Sequence, residues 1–191
     1  MNFQFFEGLS EADARLYLER FLTNGREALG WLTPEASRHG IDADLSVASI
    51  TPVFGWLTGL ASAVPLEPDP AVPEWIRATP EYASHLFDLN EDSKVLALRG
   101  GYYLGEAFRV SHPGLSWAVG NTEAAERGQP VITGFRFSME LPVLLVSENL
   151  FARALTSDPM GPDVRAVVAF WEGKIAADGD NRAARLRQAK E

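Results

Sequence analysis

The 191-residue chain contains no cysteine. That excludes disulfides, thiolate metal ligands and a cysteine nucleophile together, and it fits a reducing compartment. Histidine is scarce. His39, His85 and His112 stand far apart, with no H-x-x-x-H or H-x-H spacing, so a metal centre would have to be assembled in space from Asp and Glu. No metal and no cofactor are expected. Lysine is rarer than arginine, three residues against fourteen, which fits the coding bias of a GC-rich genome. No apolar run approaches the roughly 18 residues of a membrane span. The longest candidate, 50–65, carries Pro52, Gly55, Thr58 and Gly59. The opening MNFQFFEGLSEADARL lacks a basic segment, so no signal peptide is expected. These absences lead to the expectation of a soluble, cytoplasmic protein.

Catalytic motifs are missing as well. There is no G-x-S-x-G elbow, and Val110-Ser111-His112 lacks the flanking glycines. Gly100-Gly101 is not followed by G-K-[ST] and falls inside a predicted helix, so it is no phosphate loop. No residue is assigned a catalytic role.

What is present is ordinary globular composition, 46% apolar and 23% charged, with five Trp and eleven Phe for a core. The net charge is −9, carried by residues 1–170, while the last 21 residues are slightly basic. An acidic body argues against nucleic-acid binding and is compatible with a basic protein partner.

The pattern predicts an α+β fold, mostly helical, with a small antiparallel sheet. A helix is expected from Ser10 to Leu29, with Ser10 as N-cap and Leu16, Leu18, Phe21, Leu22 and Leu29 as its buried stripe. A second, short helix should start at Pro34 and stop at Gly40. The stretch from Asp44 to Ile50 alternates like a strand, and Thr51-Pro52 opens a helix. Residues 65–73 hold four prolines and must be a loop. Helices are expected from Pro80 to Leu89, from Asn90 or Asp92 to Val110, from Val143 to Leu155, and from Asp163 to Ile175. Strands are expected at Leu115–Val119 and Pro130–Leu141, the second with a break at Gly134. In this reading residues 1–178 form one domain and 179–191 a charged tail.

The most distinctive segment is Arg99–Arg109, RGGYYLGEAFR. As a helix it places Ala97, Gly101, Leu104 and Phe108 on one face, with Gly105 beside them. Two interior glycines cost about 1 kcal/mol each, and close approach of another backbone is the simplest reason for them. The other face carries Arg99, Tyr103, Glu106 and Arg109, with Tyr102 one turn before Glu106. That face reads either as a recognition stripe or as a solvated surface with Glu106 paired to Arg109. Glu140, in an apolar strand, reads as part of an exposed sheet face with Arg136 and Ser138. Trp56, Trp75 and Trp171 read as core, and Trp75, just after the proline-rich loop, is the best candidate for a partner anchor.

The run Tyr102–Glu106 within YYLGEAF, the Pro113-Gly114 turn and the strand containing Trp117 resemble a group of uncharacterised bacterial proteins. In these a Tyr-Leu-Gly-Glu helix precedes a Gly-Arg-Trp-like strand, and some look like immunity proteins. Leu115-Ser116-Trp117 stands here in place of Gly-Arg-Trp. The resemblance implies a small α/β binding domain and brings no catalytic residue. The leading expectation is a non-enzymatic protein-binding module, in its most specific form an immunity-type inhibitor of a basic toxin, with Tyr102, Tyr103, Glu106, Arg109, Trp117 and Trp75 as binding residues. Two alternatives stay open. One is a structural or self-associating protein, a homo-oligomer. The other is a ligand binder or enzyme with a pocket near Tyr102, Tyr103, Glu106 and Trp117.

Overall fold

A computed structural model describes residues 6, 8–79, 82, 86–121, 127–156 and 163–175. The predicted tail, 179–191, lies outside them. Helix α1, Glu11–Arg38, starts where Ser10 Oγ accepts from the Asp13 amide at 3.2 Å. It runs unbroken through Pro34, where two helices were expected. The proline removes only the bond to the Gly30 carbonyl, on an exposed face where water can take it. Leu32 and Ala36, on either side, are fully buried and hold the helix together by packing. The buried stripe also differs from the expected one. Ala14, Phe21, Gly25, Leu32 and Ala36 face inward, and Leu16 faces out.

Helix α2, Val47–Gly59, replaces the strand expected at Asp44–Ile50. Ser46 decides this locally, because its hydroxyl accepts from the Ser49 amide and so caps a helix. Ile50, Val53, Phe54 and Leu57 then bury at helical spacing. Strand β1, Ala63–Pro65, pairs antiparallel with β2, Phe87–Leu89, in the register Val64↔Asp88. Between them lies the short helix α3, Glu74–Arg77. The helix expected over Pro80–Leu89 therefore ends as a strand, and residues 80, 81 and 83–85 lie outside the described ones.

Helix α4, Glu91–Ser111, is capped by Asn90, whose side chain accepts from the Ser93 amide at 2.8 Å. It is the axis of the structure and packs against α1, α2 and α5, Val143–Thr156. Strands β3, Ser116–Val119, β4, Pro130–Thr133, and β5, Leu141–Pro142, form an antiparallel sheet in that order, with Trp117↔Ile132↔Leu141 in register. The single strand expected over Pro130–Leu141 is thus cut in two. Gly134 has φ +105°, and a Cβ there would lie 2.4 Å from the Gly114 carbonyl oxygen. A 3-10 turn at Arg136–Ser138 follows. The face predicted for Arg136, Ser138 and Glu140 does not form. Glu140 instead accepts from the Asn121 amide at 3.1 Å. Helix α6, Val164–Glu172, closes the described chain and buries Trp171.

The architecture is α+β and mostly helical, with its strands in two small antiparallel sheets. One hydrophobic cluster draws on both sides of the proline-rich loop, from Leu32, Ile50 and Phe54 to Leu104, Leu144 and Phe151. Among the described residues no helix is long and apolar enough to cross a membrane, and no group of three His, Asp or Glu is placed to hold a metal ion.

Candidate functional site

From Gly100 to Phe108 every residue of α4 is buried, so this stretch has no solvated face. Tyr103 and Glu106, read from the sequence as part of a polar stripe, are both buried. Four of the six candidate binding residues come together. Glu106 Oε1 accepts from Trp117 Nε1 at 2.6 Å, and its two oxygens accept from Arg109 Nε at 3.1 and 3.2 Å. Arg109 Nη2 donates to Oε2 at 2.7 Å. The predicted pairing of Glu106 with Arg109 is present, but at a carboxylate only 7% exposed rather than on a solvated surface. Tyr102 stacks on Trp117 with centroids 5.8 Å apart and planes 11° apart, and Phe21 of α1 meets both rings edge-on.

Glycines let these rings in. A Cβ at Gly105 would sit 2.2 Å from the Trp117 ring, and one at Gly25 of α1 would sit 2.1 Å from Tyr102. At Gly101 a Cβ would lie 3.0 Å from the Val143 carbonyl oxygen of α5. The interior glycines therefore mark close approach, as expected, with a backbone at Gly101 and a flat ring at Gly105. Gly25 of α1 has the same role.

Electrostatics follow from this packing. Burial pushes the Glu106 carboxyl up, but the hydrogen bonds and charge of Arg109 and the bond from Trp117 outweigh it and hold the group below the usual carboxylate range. Arg109 is raised by its bonds to Glu106. Tyr102 is raised by burial and by the Glu106 charge. A carboxylate held ionised, with both oxygens already engaged, makes a poor general acid or base.

Tyr103 does not join the cluster. It points to the other side of α4, where its hydroxyl lies 2.6 Å from Ser49 Oγ and accepts from the Leu45 amide at 3.3 Å. Leu45 has φ +61°, a left-handed backbone that is uncommon for leucine. The tyrosine ties down the strained turn before α2. The predicted pocket lined jointly by Tyr102, Tyr103, Glu106 and Trp117 is therefore not formed.

Trp75 lies elsewhere and is 74% exposed, so its core reading fails, whereas Trp171 is buried as expected. Trp75 sits on an arm, residues 60–77, made of β1, the proline-rich loop and α3. Leu60, Val64 and Leu66 are exposed on the same arm. Its charged residues are Glu67, Asp69 and Glu74 against Arg77 alone. The arm is pinned in place: the Leu66 amide donates to the Leu86 carbonyl at 2.9 Å, the Asp69 amide to the Tyr82 hydroxyl at 3.0 Å, and the Ala71 amide to Asp69 Oδ1 at 2.8 Å.

Sequence reasoning missed two features. Phe137, expected in a strand, is 86% exposed with φ +60° in the 3-10 turn. An apolar groove also runs between α1 and α4, and Tyr102 forms part of its wall. Its α1 residues, Phe21, Ala28 and Trp31, recur at helical spacing and could have signalled it. No family model, curated protein or solved structure matches the chain, so the functional reading rests on this geometry.

Proposed function

We propose that the chain is a non-enzymatic protein-binding module that docks a basic protein partner on the 60–77 arm, with Trp75 as the anchor. The observation that carries this reading is the 74% exposure of Trp75 on an ordered arm with three acidic residues and one basic one. Tryptophan is enriched among the residues that dominate binding energy, because its large flat surface is desolvated at little entropic cost. The surrounding carboxylates would attract a basic surface and set its register. An arm already held by backbone hydrogen bonds loses little further freedom on docking. The engagement of Glu106 by Arg109 and Trp117 ties up the one buried carboxylate of α4, which favours the non-enzymatic reading without making the α4 cluster a docking surface. In its most specific form the module is an immunity-type inhibitor that masks a basic toxin in the bacterial cytoplasm.

The test is retention of partners from an extract of the native host by the immobilised chain and by its W75A variant, at low and high salt. The wild type should hold a stoichiometric basic protein that high salt releases, since exposed charge attraction is screened. W75A should not hold it. Equal retention by both, or a partner indifferent to salt, would contradict the reading. A mass that rises with concentration, with no foreign partner, would favour self-association.

A further inference from the structure

We infer that the groove between α1 and α4 is a binding site for a small aryl carboxylate, a flat apolar body carrying a single carboxylate group. The groove has a volume of about 490 Å³, within the range of small-molecule sites. Phe21, Ala28 and Trp31 of α1 face Val95, Leu98 and Tyr102 of α4 across it. Three of these are aromatic, and the Tyr102 ring is brought against the α1 backbone by Gly25. Phe21 and Tyr102 are themselves buried and Trp31 already carries Arg99, so the surface open to a ligand comes mainly from Ala28, Val95, Leu98 and the edge of Trp31, an apolar wall against which a flat ring can lie.

The polar end is set by Arg99. Its guanidinium lies over the Trp31 ring at 4.2 Å. Trp31 is stacked on Trp56, with centroids 6.0 Å apart, and Trp56 lies against His39 at 5.6 Å. The guanidinium is thus held against the Trp31 ring, and its N–H groups make no hydrogen bond among the described residues, which leaves them available as a fork. That fork matches a carboxylate in bidentate geometry. Among the described residues neither Arg99 nor Arg20, the second cation on the groove, takes part in a salt bridge. Glu27 also lines the groove, so its charged groups are two cations and one anion. That balance accepts one negative charge and disfavours a dianion such as a phosphate monoester. It is a locally basic spot on a chain of net charge −9.

The groove and the 60–77 arm share no residue, so the two proposals stand or fall separately. The probe is naphthoate, with neutral naphthamide as its uncharged counterpart, titrated by calorimetry against the full chain. Naphthoate should bind saturably at one site, and naphthamide roughly tenfold more weakly. R99Q should reduce naphthoate to the level of naphthamide, while R15Q, which alters an exposed arginine away from the groove, should leave it unchanged. W75A should bind naphthoate as the wild type does. Equal affinity for the two probes, no saturation, or naphthoate binding that survives R99Q would overturn the assignment. Should R99Q fail to fold, the comparison of the two probes on the wild type still decides it.

Discussion

The α4 cluster and the 60–77 arm use similar residue types in opposite ways. At α4, a buried glutamate accepts from an arginine and a tryptophan beside a tyrosine and a phenylalanine, so its carboxylate is shielded although Arg109 stays partly exposed. On the arm, Trp75 stands in solvent among carboxylates, while the backbone beneath it is hydrogen-bonded. A polar residue in an apolar helix is therefore not in itself a recognition feature. What separates the two regions is whether the side chain's hydrogen-bonding groups and apolar surface already have partners within the chain.

Substitution should separate the regions most sharply at Glu106. E106K would bury an ammonium group beside Arg109 and leave the Trp117 N–H without its acceptor, a loss of about 3–5 kcal/mol measured by urea unfolding. A cost below about 1 kcal/mol would mean that the cluster opens to water. Next come the glycines. Alanine should gain up to about 1 kcal/mol from helix propensity. Instead, Gly105→Ala should destabilise, because the Trp117 ring cannot stay where it is, and Gly101→Leu should cost about 1–3 kcal/mol more than Gly101→Ala. Equal unfolding midpoints for the two Gly101 variants would remove close packing from the account.

Acid should act on the same cluster. Glu106 is held below its ordinary value, so the unfolded chain takes up its proton more readily than the folded one. Its contribution is complete above the unfolded value of about 4.3 and is lost as the pH falls through the lower folded value. E106Q should therefore narrow the stability difference between pH 7 and pH 3. An unchanged difference would remove Glu106 from the acid response. Tyr103→Phe should cost about 1 kcal/mol through the lost bonds to Ser49 and Leu45. The smallest effect on folding should be that of W75A, within about 0.5 kcal/mol, because an exposed side chain has little packing to lose. A larger loss would make Trp75 a structural residue and weaken the contrast.

The α+β class, the cap at Ser10, the extent of α4, with Asn90 one of two candidate caps, and the close approach at Gly101 and Gly105 could be read from the sequence, because each has a local signature. Strand-like alternation misled at Asp44–Ile50, where the Ser46 cap and the packing of Ile50 and Phe54 favour a helix. Pro34 misled in the other direction, since tertiary packing of Leu32 and Ala36 carries α1 through it. The pairing of Glu106 with Arg109 was legible at i, i+3 spacing. Its burial was not, because that depends on Trp117 and α1 arriving from distant parts of the chain. Exposure of Trp75 was suggested only by the neighbouring prolines, and the groove needed two helices to exist at all.

The most direct test of this division is to measure retention of the proposed basic partner by E106Q and W75A side by side. The account predicts that E106Q, although less stable, still retains the partner under folding conditions, while W75A folds normally and does not. Loss of the partner on E106Q with full retention on W75A would contradict it.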